Sequence, residues 1–109
     1  MENKTEKIKH LAKEYTADTA RFLRDMIAIP SVSSQEKTVI ERIKKEMETI
    51  GFDVITIDPM GNILGRIGHG KRIIAFDAHV DTVDVGNPDL WEVDPFKGKL
   101  ENGVIYGRG

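Results

Sequence analysis

The sequence predicts an α/β fold, two helices followed by a mixed sheet, and three observations carry that prediction. Apolar residues recur at spacings of three and four over residues 5–28 and again over 33–50, the period of a helix with one buried face. From residue 52 the pattern changes to β-branched and aromatic, "FDVITID", as a strand requires. Further on, Ile73, Ile74, Ala75 and Phe76 form an unbroken apolar run, which suits a strand covered on both faces. Helices first and a doubly covered strand later imply a layered domain.

The first helix presents Ile8, Leu11, Ala12, Tyr15, Phe22, Leu23 and Met26 on one side, and Pro30 ends it. The connector "IPSVSS" leads into "SSQE", where Ser33 is a suitable N-cap and Glu36 completes a capping box. Val39, Ile40, Ile43, Met47 and Ile50 line the second helix, which Gly51 stops. A strand over 52–58 then meets "DPMG", a type I turn, and "NILGRI" returns as its antiparallel partner. "GHGK" is another turn, and "KRIIAFDAH" is the third strand. The last segment, "FKGKLENGVIYGRG", reads as a hairpin turning at Asn102–Gly103.

Composition excludes several functions. The 109 residues suit one domain, and 39% hydrophobic with 31% charged residues is ordinary for a soluble globular chain. Sixteen basic against eighteen acidic residues leave a net charge of −2, without the basic stripe of a nucleic-acid binder. There is no cysteine, so a disulfide, a thiolate zinc site and a thiol nucleophile are ruled out. Any metal must be held by His, Asp and Glu. The N-terminus "MENKTEKIKHLAKEY" is too charged for a signal peptide, and no apolar run reaches membrane-spanning length, so a cytoplasmic location is expected.

The chemistry concentrates in "DAHVDT", residues 77–82, where Asp77, His79 and Asp81 follow the apolar run. Ligands of α/β sheets bind beyond the carboxyl ends of central strands. If the strand persists, these three side chains share a face. A neutral imidazole ligates zinc through one nitrogen, and its other N–H needs an acceptor that fixes tautomer and orientation. His79 as metal ligand with Asp81 as its orienting carboxylate is therefore sensible. Two other readings stay open: a polar cluster capping a turn, and a Ca²⁺ or Mg²⁺ loop using Asp77, Asp81 and Asp84, which lacks the EF-hand pattern. His69, between two glycines, and His10, on the polar side of a helix, read as exposed residues.

"IIAFDAHVDTVDVGNPDLWEVDPFKGKLENGVIYGRG" resembles the start of the catalytic domain in a family of dinuclear zinc hydrolases. That family includes acetylornithine deacetylase, succinyl-diaminopimelate desuccinylase, the carboxypeptidase G type enzymes and tripeptide aminopeptidase. The matching features come in order: "HVDT" after an apolar strand, a Trp in "LWEVDPF", the hairpin "KGKLENGVIY", then "YGRG". "FLRDMIAIPSVS" is similar to the family's N-terminal pattern. Within the family, "FDAHVDTV…GNPDLW" is nearest to a subgroup described as selenium-metabolism hydrolases.

The resemblance implies that His79 is a zinc ligand and Asp81 the catalytic aspartate that supports it. Asp77 falls where many relatives carry a neutral residue and is read as part of the local polar network. The implied activity is that of a metallopeptidase or deacylase, cleaving amide bonds in small peptides or N-acyl amino acids with two Zn²⁺ ions, Co²⁺ or Mn²⁺ being alternatives. Residues 1–109 would then be the N-terminal portion of one catalytic domain. The bridging aspartate, the glutamate general base, the other ligands and the lid domain lie beyond Gly109. On that expectation the chain is inert by itself, and the whole protein is a homodimer as relatives often are. The rival expectation is a non-catalytic binding or scaffold module of the same α/β fold.

Overall fold

The computed structural model describes residues 3–109. Its first helices are α1, Lys4–Glu14, and α2, Thr16–Ile27, so the single helix expected over 5–28 is broken at Tyr15. There the backbone leaves helical geometry, at φ −89° and ψ 3°. The Thr16 hydroxyl donates to the Ala12 carbonyl (2.8 Å) and the Thr19 hydroxyl to that of Tyr15 (2.9 Å). Such bonds compete with the amide ladder and bend helices. Amide bonds from Tyr15 to Leu11 and from Thr19 to Tyr15 still bridge the break. Helical spacing therefore survives across it, which is why periodicity alone reads one helix.

Helix α3, Lys37–Ile50, begins later than the expected capping box. Glu36 is the N-cap and makes no side-chain cap bond; its Oε1 instead accepts the Ser34 N–H at 2.9 Å. Ser33 is engaged elsewhere, donating to the Asp81 carboxylate at 2.6 Å. A hydroxyl bond to an ionised acceptor is about twice as strong as a neutral one, so the distant carboxylate outcompetes the local cap. Gly51 ends α3 as expected, at φ 93°, with its N–H returning to Met47. Among the described residues, Val39 and Ile40 of α3 are the buried apolar side chains, at 2% and 7% exposure.

Strands β1, Val54–Ile57, and β2, Ile63–Arg66, pair antiparallel and pack against α3. Their turn has the expected Gly61 N–H to Asp58 carbonyl bond. The Asp58 carboxylate accepts from the Asn62 side chain, the Asn62 and Met60 amides, and these bonds hold it below the usual carboxylate range. Gly65 faces Ile55 in the ladder, and a Cβ there would lie 2.6 Å from Phe52 Cδ2 and 2.8 Å from Met47 Sδ. The missing side chain is what lets α3 seat on the hairpin. Gly65→Ala should therefore destabilise the fold by about 1–3 kcal/mol through overpacking. Urea unfolding checks this, and adding Phe52→Leu should recover part of the loss.

Strands β3, Leu100–Glu101, and β4, Val104–Ile105, form the second hairpin. Asn102 and Gly103 turn it at φ 51° and 77°, the two left-handed residues that a type I′ turn demands.

The expected third strand is not formed. Residues 71–79 are in no ladder, and Ile73, Ile74 and Phe76 are 76%, 81% and 94% exposed. A strand exists only when a neighbour supplies N–H and C=O partners. Neither hairpin does so here, and an open hollow of about 1490 Å³ lies among α3, the first hairpin and residues 72–81. In place of one mixed sheet there are two separate two-stranded sheets. The mixed α/β class stands, with helices first and strands after. The radius of gyration, 16.6 Å, exceeds the roughly 13 Å of a compact domain this long, in keeping with so small a core. Among the described residues no helix is long and apolar enough to cross a membrane.

Candidate functional site

Three stretches of chain converge beside the apolar run. Pro30 takes the chain off α2, and residues 31–33 then run parallel to 81–83, joined by a bridge between Val32 and Thr82. The Thr82 N–H donates to the Ser31 carbonyl at 2.8 Å. Ser31 is 1% exposed, and its hydroxyl lies 3.2 Å from both the Val80 carbonyl and the Thr82 hydroxyl. The third stretch is "YGRG". Arg108 donates to the carbonyls of Ile27, the last residue of α2, and Ile29 just past it, and stacks over Phe96 at 4.2 Å. Two residues beyond Asp81, the Val83 N–H donates to the Gly109 carbonyl at 2.7 Å. Trp91, in the loop that follows, is tied back by its indole N–H to Val85 at 2.8 Å.

At this convergence His79 and Asp81 meet. His79 Nδ1 lies 2.9 Å from Asp81 Oδ1 and 2.9 Å from the Asp81 backbone carbonyl. Ser33 holds the other carboxylate oxygen, Oδ2, at 2.6 Å. Both groups facing Nδ1 are acceptors, so in the neutral imidazole Nδ1 carries the hydrogen and Nε2 the lone pair. The ring is 81% exposed, with Nε2 the nitrogen available to a ligand. The Ser33 hydrogen bond, and after it the His79 one, keep the Asp81 carboxyl below its ordinary range, and it stays ionised at neutral pH.

The two site residues expected from the sequence are thus brought together, though by a contact between residues two apart rather than by a shared strand face. Asp77 takes no part in the pair. Asp84 accepts the Gly86 N–H at 3.0 Å in its own turn, and among the described residues Asp77, Asp81 and Asp84 form no group placed to hold a Ca²⁺ or Mg²⁺ ion. His69, 77% exposed, sits 3.7 Å from Asp53 on the first hairpin. His10 lies along α1, 4.0 Å from Glu14. The serines were missed as site residues. Their signal was the alternation Ser31, Ser33, which matches that of His79 and Asp81 once the two stretches are known to run side by side.

Among the described residues no group of three or more His, Asp or Glu side chains is placed to hold a metal. The donor set present is one imidazole, pinned by a carboxylate in the orientation that zinc ligands need. It fits one ligand position of the three or four that a zinc site requires.

The chain is similar to succinyl-diaminopimelate desuccinylases. That of Cereibacter sphaeroides is 32% identical over 96 residues, covering 84% of this chain and 25% of that protein. That of Bordetella avium is 36% identical over 90 residues, covering 81% of this chain and 24% of that protein. A protein of Escherichia coli K12 named uncharacterized protein YgeY is 59% identical over 98 residues, covering 90% of this chain. The chain spans about a quarter of the length of these curated relatives. No family model matches it, and no solved structure matches it.

Proposed function

We propose that residues 1–109 are the N-terminal portion of the catalytic domain of a zinc-dependent hydrolase that cleaves amide bonds in small peptides or N-acyl amino acids. The observation that carries this reading is the His79–Asp81 pair, with Nδ1 fixed and Nε2 open, in a chain similar to desuccinylases. His79 would hold one zinc ion through Nε2. Asp81 keeps the ring in that tautomer and lends it negative charge, which raises its basicity as a ligand. Zinc, when bound, supplies Lewis-acid polarisation of an amide carbonyl and lowers the pKa of water toward neutrality. The remaining ligands, a second metal position and the general base belong to residues outside this chain. The exposed run 73–76 and the hollow beside it support the same view, because they leave room for the strands of a larger layered domain. The wording of residues 76–91 supports the selenium-metabolism subgroup within the family.

The test is metal analysis of the full-length protein, together with assays on N-acyl amino acids and dipeptides. The expected result is two zinc ions per chain and hydrolysis in one of the two substrate sets. Chelation should abolish turnover, and Zn²⁺, Co²⁺ or Mn²⁺ should restore it, since His and carboxylate donors discriminate weakly among these ions. Ligand binding without cleavage, and without bound metal, would favour the scaffold reading instead.

A further inference from the structure

We propose that Ser33 is a positioning residue of this site, acting through Asp81 on the orientation of the His79 ring; this rests on the hydrolase reading above. A carboxylate turns readily about its last torsion, whose preferences are broad. For Asp81 that freedom is removed from three directions. Ser31, buried, donates its hydroxyl to the Val80 carbonyl and accepts the Thr82 N–H at its own carbonyl, so the backbone on both sides of Asp81 is gripped. Ser33 takes Oδ2 at 2.6 Å, and that leaves Oδ1 directed at His79 Nδ1, 2.9 Å away. The chain from α2 to α3 is therefore more than a connector: its alternating serines hold the residue that holds the ligand.

An incidental surface hydroxyl is a poorer account. Ser33 lies just before a helix, where serine commonly caps, yet α3 has no side-chain cap and the hydroxyl points to a residue 48 positions away. Without it, Asp81 can rotate off the ring. His79 would then keep only the backbone carbonyl of Asp81, which fixes the Nδ1 hydrogen but supplies no charge.

Full-length Ser33→Ala and Ser33→Thr proteins test the idea by two measurements. The first is the nitrogen NMR spectrum of the His79 ring in metal-free protein, which reports its hydrogen bonding without any catalysis. The alanine variant should shift the Nδ1 resonance, and the threonine variant, which keeps a hydroxyl, should stay near the parent. The second is steady-state kinetics: Ser33→Ala should lower kcat by up to about tenfold, the low end of what losing the partner directly behind a ligand costs, with KM little changed. Ser33→Thr should recover most of that loss. An unmoved Nδ1 resonance in Ser33→Ala overturns the proposal, whatever the kinetics. A moved resonance in a protein that neither binds zinc nor cleaves amides upholds the Ser33 contact and overturns the hydrolase reading.

Discussion

His79→Ala in the full-length protein is expected to remove both bound zinc at its position and amide-hydrolase activity, while leaving the fold intact. The separation of the two effects follows from exposure. The imidazole is 81% exposed and its one tie is to Asp81, two residues away, so truncating it empties no packed volume. Large destabilisation needs a cavity, an orphaned buried group or a lost network, and none arises here. The Asp81 carboxylate keeps its hydrogen bond from Ser33 and faces solvent where the ring had been. On the proposed function, a zinc site that includes His79 would by contrast lose one of its three or four ligands outright. That loss should exceed the roughly 10–100-fold that follows removal of an outer partner. Zinc stoichiometry, turnover and the melting temperature of the metal-free protein together check this. Retention of zinc and turnover would mean that His79 is not a ligand. His69→Ala and His10→Ala serve as controls, since both rings lie on other elements, beside Asp53 and Glu14.

What could be read from the sequence, and what could not, divides along the range of the interactions involved. The turn at Asp58–Gly61, the type I′ turn at Asn102–Gly103 and the stop at Gly51 are decided by a few adjacent residues, and each stands where the pattern put it. The pairing of β1 with β2 follows from the first of those turns. The strand over 71–79 depends on neighbours that no local pattern contains. Its apolar run is real, but β-branched composition states only a willingness to pair. The helix break at Tyr15 was invisible for a different reason, because amide bonds across it preserve the phase of the stripe. For the site, the His79–Asp81 pair was legible because both partners lie within three residues. Ser33 was not, since capping is the commoner use of a serine before a helix and its actual partner lies across the fold. Only the register between residues 31–33 and 81–83 decides between the two roles.

The same register sets the outcome expected for Asp81→Asn. The amide is close in shape to the carboxylate, and Ser33 is a hydroxyl, able to accept as well as donate. Asparagine can therefore turn its NH₂ toward Ser33 and present its oxygen to His79 Nδ1–H. The backbone carbonyl of residue 81, 2.9 Å from Nδ1, favours the same tautomer whatever the side chain. The ring orientation, the fold and much of the zinc binding should thus survive. What disappears is the negative charge behind the imidazole, and with it the increase in ligand basicity that the carboxylate provides. Turnover should fall by about one to two orders of magnitude, with zinc stoichiometry nearly unchanged. Unchanged turnover would remove Asp81 from the mechanism, and complete loss of zinc would make it a ligand in its own right. A double-mutant cycle with Ser33→Ala sharpens the test. If Ser33 acts only by aiming the carboxylate, its removal costs much in the parent and much less once residue 81 is already neutral. Independent roles would instead give additive losses.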